Sequence, residues 1–204
     1  MRLVAVSKTF GDADIRAAAE AGQVDFGENK VQEAFGKMDR TSDLALRWHL
    51  IGHLQSNKAR KAGARFDMIH SVDGADLGGA VDRAAGAVSR QLDVLVQVAL
   101  VHEPAKHGAR EDELPAIFDA ARAWRHARLV GLMLLPPASD DPEDSRHHFR
   151  ALKSVRDRLL GRGVAGSMLA ELSMGMSHDF EVAIEEGATL VRVGAAVFGD
   201  RARV

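Results

Sequence analysis

Short apolar runs rich in branched residues recur along the chain, and segments whose apolar positions repeat at helical spacing separate them. This alternation marks repeated β-α units around a parallel sheet. Candidate strands run from Leu3 to Val6, Val24 to Phe26, Trp48 to Ile51, Met68 to His70, Val94 to Val98, Leu129 to Leu132, Leu169 to Leu172 and Thr189 to Val193. Between the second and third, Val31, Ala34, Phe35 and Met38 fall at i, i+3, i+4 and i+7, a stripe that a helix buries against the sheet. Asp141-Pro142-Glu143-Asp144 supplies an N-cap, a proline at N1 and acids in the first turn, ahead of Phe149, Leu152, Val155 and Leu159. Gly22 and Gly187 stand where helices beginning near Asp12 and Ser177 should stop. Eight such units predict one closed (β/α) barrel domain over residues 1–204. A doubly wound open sheet fits the same strand count, and the chain is short for a barrel of roughly 250 residues.

Composition narrows the function classes. Hydrophobic residues at 46% and charged residues at 27% fit a globular domain, and a formal charge of -2 argues against general nucleic-acid binding. No apolar run is long enough for a membrane helix and the N-terminus lacks a signal-peptide core, so a cytoplasmic location is expected. The chain has no cysteine, which removes disulfides and thiol catalysis, and no tyrosine, which removes a phenolic acid or base.

In a (β/α) barrel the C-terminal ends of the strands carry the chemistry. The first strand ends in Ser7-Lys8, the second in Gly27-Glu28-Asn29, the seventh in Ser173-Met174-Gly175-Met176-Ser177 and the eighth in Gly194-Ala195-Ala196. The loops after strands seven and eight are the usual phosphate cradle of this architecture, and small residues here let backbone N–H groups approach an anion. Ser177 is equally well read as a phosphate donor or as a plain N-cap before His178, Asp179 and Phe180. Lys8 follows an apolar run and is placed at the barrel mouth, where partial desolvation favours Schiff-base chemistry, although an arbitrary lysine is more often a solvated one. A lysine and a phosphate cradle on one face point to a phosphorylated aldehyde, either pyridoxal phosphate or a sugar phosphate. Alternation turns Arg192 to the same side as Leu190 and Gly194, and a buried arginine needs a partner: an acid such as Glu171, or a cofactor's ring nitrogen.

No metal site is expected. His49 and His53 straddle Ile51-Gly52 at a strand end, His147 and His148 adjoin, and no H-E-x-x-H occurs. Lys58, Arg60, Lys61 and Arg65 read as a solvated helix face.

Several stretches together form one family's signature: LVAVSKT at 3–9, DFGENKVQEA at 25–34, WHLIGHLQSNK at 48–58, IHSVD at 69–73, GLMLLPP at 131–137, LSMGMSHDFEVAIEEGAT at 172–189 and VRVGAAVFGDR at 191–201. On these the chain resembles the pyridoxal-phosphate homeostasis proteins, formerly called proline synthetase co-transcribed proteins. The resemblance implies a TIM barrel like the N-terminal domain of alanine racemase, a fold-type III cofactor domain without that enzyme's second, β domain. It implies pyridoxal 5′-phosphate as cofactor, held as an imine on Lys8. Asn29 matches an asparagine near the cofactor, Ser177, Gly194 and the position of Ala195 the phosphate site, and Arg192 an arginine facing the pyridine nitrogen; Ile51 and Met176 line the same pocket. Ala195 stands where the family usually has threonine or serine, so one phosphate contact should be missing. The family usually carries a helix before the first strand, and this sequence starts almost at that strand, so one barrel end should be less covered. Val98 to Gly108 is a looser match.

Family members are expected to hold the reactive aldehyde and influence vitamin B6 and amino-acid balance, as monomers with cofactor-dependent apoenzymes as partners, without catalytic turnover. The residues agree. An arginine beside the ring nitrogen weakens the electron sink that transaminases draw on, and the second base of racemases with that arginine is a tyrosine, which this chain lacks. The alternative is a lysine-dependent aldolase or lyase for a phosphorylated sugar on the same barrel, which needs a positioned acid beside Lys8.

Overall fold

The computed structural model describes residues 1–100 and 107–199; Val101 to Lys106, within the loosely matching segment, and residues 200–204 lie outside it. Strands β1 (Arg2–Val6), β2 (Asp25–Glu28), β3 (Arg47–Leu50), β4 (Met68–Val72), β5 (Leu92–Gln97), β6 (Ala127–Met133), β7 (Glu171–Met176) and β8 (Leu190–Val193) alternate with helices. Each strand pairs in parallel with the next, and β1 closes on β8 through Arg2↔Leu190 to Ala5↔Val193. The barrel therefore closes, and the open sheet is excluded.

Closure gives alternate strand residues two different environments. Outward-facing Ala5, Phe26, Leu50, Ile69, Val96, Leu132, Leu172 and Val191 pack in one continuous cluster with helix residues such as Ile15, Ala34, Val81, Phe118, Phe149 and Leu152. Inside, Val4, Met68, Leu95, Met133 and Leu190 form a separate, smaller cluster. The rest of the interior is polar: His49, His70, Ser173 and Arg192 are all buried there.

The predicted helices form. Val31, Ala34 and Met38 are buried on α2 (Val31–Arg40), with Phe35 packed against the core, and all four apolar residues of the α6 stripe (Arg146–Gly161) are buried. Asp141 caps the single turn Pro142–Ser145 by accepting from Glu143 N–H at 2.9 Å. Gly22 (φ 95°) follows α1 (Asp12–Glu20) and Gly187 (φ 98°) follows α7 (Phe180–Glu185), both in the left-handed conformation that ends a helix.

Three expectations fail locally. Strand seven does not run from Leu169 to Leu172; Gly166–Leu169 is a 3-10 turn with Leu169 as its buried apolar residue, and β7 continues to Met176. It does so because Gly175 takes φ 92°, where the register against β8 shifts. Ser177 is not the N-cap of α7; Asp179 takes that place, and its carboxylate accepts from Met176 N–H at 2.7 Å. The second strand also starts one residue later than predicted, since Val24 is left exposed. Among the described residues no helix is long and apolar enough to cross a membrane.

Candidate functional site

A cavity of ≈ 790 Å³ opens at the C-terminal end of the barrel. Lys8, Asn29, Ile51, Met176, Ser177, Arg192, Gly194 and Ala195 all line it, so the strand ends singled out in sequence converge on one place. Val6, Gly52, His53, Leu135 and His178 complete the wall. The Gly194 N–H donates to Ser177 Oγ at 3.0 Å, which joins the loops after β7 and β8 and leaves the serine hydroxyl proton to donate elsewhere. Val197 and Phe198 N–H both return to Gly194 O, so the N–H groups of Ala195 and Ala196 begin α8 (Ala195–Phe198) without a partner within that helix.

Lys8 is moored from both sides by a buried ion cluster. The Lys37 ammonium, buried on α2, donates to Ser7 O (2.7 Å), Glu28 Oε1 (2.7 Å) and Glu33 Oε1 (2.9 Å). Ser7 Oγ donates to the same Glu28 oxygen at 2.6 Å, while Glu33 accepts the backbone N–H of Thr9 at 2.8 Å. The residues before and after Lys8 are thus both tied to one cluster. That tie sustains an uncommon backbone: Thr9, β-branched, sits at φ 72°, which costs about 1–3 kcal/mol where surroundings do not hold it. Burial pushes the Glu28 carboxyl up, against the pull of Lys37 and Ser7. Its second oxygen has no hydrogen-bond partner.

Below the cavity, a single chain of hydrogen bonds crosses the barrel. Arg192 Nη1 donates to Ser173 Oγ (2.5 Å), Ser173 meets His70 Nδ1 (2.9 Å), His70 Nε2 meets His49 Nδ1 (2.9 Å), and His49 Nε2 meets Asp25 Oδ1 (2.8 Å). The carboxylate at one end, together with burial that keeps both rings neutral, sets the protons along the chain. A guanidinium only donates and a carboxylate only accepts. With both imidazoles neutral, His49 donates from Nε2 to Asp25, His70 donates from Nε2 to His49 and Ser173 passes its proton to His70 Nδ1, which makes both rings Nε2–H tautomers. Desolvation lowers the pKa of His49 despite Asp25, and lowers that of His70 well below the usual histidine value, with His49 and Arg192 adding to the effect. Burial opposes ionisation of Asp25, but the His49 bond and the charges of Arg47 and Arg2 outweigh it and hold its carboxyl below the usual range.

Among the described residues the Arg192 guanidinium donates to neutral partners: Ser173 and, through Nη2, Leu134 O at 2.8 Å. Glu171, the acid considered from sequence, instead accepts from Arg2 (3.3 Å) and from Thr189 Oγ1 (2.5 Å). Burial brings the Arg192 pKa down to about 10, so the group stays a cation at neutral pH. A buried cation lining a cavity without a carboxylate in contact is matched to an acceptor arriving from the cavity.

Sequence reasoning missed the relay and the Glu28–Lys37 cluster. His49 and His70 share the strand alternation of interior residues, which was the available signal; the identity of their partners depends on barrel closure. Arg65, read as part of a solvated face, pairs with Asp39 at 2.5 Å and lies over the Phe35 ring at 4.6 Å.

Comparison with known proteins fits this geometry. The model of the alanine racemase N-terminal domain family matches residues 1–202. A pyridoxal phosphate homeostasis protein of Aquifex aeolicus is 40% identical over 98% of this chain and 87% of its own length, and one of Pseudomonas aeruginosa is 42% identical over 98% and 84%. The chain belongs to the pyridoxal phosphate homeostasis protein family. Its barrel superposes on PipY of Synechococcus elongatus, solved without PLP (TM-score 0.91, 41% identity, 98% of this chain and 93% of that one) and with PLP bound (0.89, 40%, 98% and 92%). Alanine racemase of Clostridium difficile, at 15% identity and TM-score 0.80, shares the fold alone, and this family member covers 53% of it.

Two outcomes follow for this family member. Lys37→Met strands the Glu28 charge and should cost about 3–5 kcal/mol in urea unfolding, with the double variant Glu28→Leu/Lys37→Met recovering much of it; a single-variant loss below about 1 kcal/mol contradicts the mooring. The second outcome concerns pH. His49 and His70 have folded pKa values below their unfolded value of about 6.5, so the unfolded chain binds more protons as pH falls through that value. Their contribution is complete above pH ~6.5 and is lost below it. Urea midpoints measured from about pH 7.5 to 5 should fall with pH, and the double variant His49→Gln/His70→Gln should flatten that slope; an equal slope in both contradicts it.

Proposed function

We propose that this chain binds pyridoxal 5′-phosphate in the cavity lined by Lys8 and acts as a carrier in vitamin B6 and amino-acid homeostasis. The observation that carries the reading is the convergence of Lys8, a partner-poor buried cation at Arg192 and the Ser177–Gly194 junction on one cavity of suitable size. The kinship with PipY, which has been solved with PLP bound, supports it.

When bound, the cofactor supplies an aldehyde that condenses with amines and a ring nitrogen that accepts a hydrogen bond. Lys8 is the amine at the cavity wall, its position set by the clamps on Ser7 and Thr9. The Ser177 hydroxyl and the N–H groups of Ala195 and Ala196 serve the phosphate; Ala195 contributes its backbone but no hydroxyl. Asn29, Ile51 and Met176 line the space between. Arg192 donates toward the ring nitrogen and, as a cation, opposes its protonation. That keeps the ring a poor electron sink, and with no tyrosine to act as a second base the chain is suited to holding the cofactor, not to turning over amino acids. In this reading the chain is a monomer that surrenders the cofactor to apoenzymes.

Purified protein given pyridoxal 5′-phosphate should absorb in the violet, and borohydride should fix the cofactor on the peptide containing Lys8. Lys8→Ala, checked as folded by circular dichroism, should lose both. An unchanged spectrum, with the adduct on another lysine, removes Lys8 from this role.

A further inference from the structure

Beside the main cavity lies a smaller one of ≈ 190 Å³, and His53 lines both. At this rim the barrel brings together three side chains from three successive strand ends. His53 follows β3, Asp73 directly follows β4, and His107 follows β5. One nitrogen of each imidazole and one oxygen of the carboxylate all lie within 4.8 Å of one another. The His53 and His107 rings are parallel with centroids 3.5 Å apart, and His53 Nδ1 is 3.8 Å from Asp73 Oδ2.

We propose that His53, Asp73 and His107 bind one divalent transition-metal ion, with zinc as the simplest occupant. Two imidazoles and a carboxylate are a donor set of borderline hardness, which selects zinc, nickel or copper over magnesium or calcium. Cysteine, the competing soft ligand, is absent from the chain. The site is empty. Bonds of about 2.0–2.2 Å require the three ligand atoms to draw in and the two rings to turn out of their parallel stack, so that each lone pair points at the ion. His53 and His107 are exposed and Asp73 half-buried, which leaves the side chains room for that movement.

The backbones behind them are already held. Ser71 Oγ donates to Gly52 O at 2.7 Å, next to His53, and Gln97 Nε2 donates to His107 O at 2.7 Å. Ala109 N–H returns to Gln97 O at 2.8 Å, pinning the segment of His107 to β5. Such outer partners are what orient the ligands of a metal site. The expectation of no metal came from histidines close in sequence, His49 with His53 and His147 with His148; closure of the barrel instead separates the first pair, sending His49 inside to Asp25 and His70. Three protein ligands leave a fourth tetrahedral position open, beside the cavity of Lys8.

Titration calorimetry of the cofactor-free protein with zinc chloride tests this without reference to cofactor chemistry. One ion per chain is expected. His107→Ala and Asp73→Asn should each weaken binding by at least about tenfold, the lower end of what loss of even an outer partner costs. His147→Ala should leave it unchanged, and all three variants should keep the thermal midpoint of the metal-free protein. Zinc binding that His107→Ala and Asp73→Asn leave intact, or that His147→Ala abolishes, places the ion elsewhere and overturns the proposal, as does the absence of saturable binding.

Discussion

A guanidinium inside a barrel is the constraint on which the rest of this structure depends. Arg192 sits on β8 with its side chain buried in the interior, and a buried charge must be satisfied or it destabilises the fold by several kcal/mol. Among the described residues no carboxylate hydrogen-bonds to it. Its donors go instead to Ser173 and the Leu134 carbonyl, and Ser173 hands the requirement on through His70 and His49 to Asp25, near the other end of the barrel. With both imidazoles kept neutral by burial, one proton arrangement satisfies the whole chain. The interior therefore carries a row of buried polar side chains beside a small apolar cluster.

The same constraint reaches the cavity. An Arg192 anchored from below by neutral partners presents a fixed positive charge to whatever enters from above. Lys8, which follows the neighbouring strand β1, is fixed by different means, an ion cluster at the ends of β1 and β2 that ties down its neighbours and sustains the left-handed Thr9. One device sets the electrostatics of the site and the other sets the geometry of its amine. The partners that hold Arg192 and the neighbours of Lys8 lie outside the cavity lining, and both devices put charged groups in places where hydrophobic packing alone would be cheaper.

Much of this was legible in the sequence. Lys8, Asn29, Ile51, Met176, Ser177, Gly194 and Ala195 lie at strand ends or within family motifs, and alternation along β8 put Arg192 on the inner side; all eight line one cavity. Local patterns failed where a glycine altered the local rules, as at Gly175, which lets β7 run on to Met176. They also failed where a residue's partner came from a distant strand. Nothing near His49 in sequence names His70, and nothing near His53 names His107, because those meetings are set by the order and closure of the barrel. Its neighbours in sequence left Ser177 open between a cap and a phosphate donor; the fold gives the cap to Asp179 and the serine oxygen to the Gly194 N–H.

The proton arrangement between Arg192 and Asp25 can be observed directly. Nitrogen-15 NMR of histidine-labelled protein at neutral pH should show His49 and His70 as neutral imidazoles, each with its proton on Nε2 and none on Nδ1. Assignment follows from the spectra of His49→Gln and His70→Gln. A Nδ1–H tautomer at either residue, or a doubly protonated ring at neutral pH, would contradict this proton arrangement and mean that burial does not keep the two rings neutral between Ser173 and Asp25.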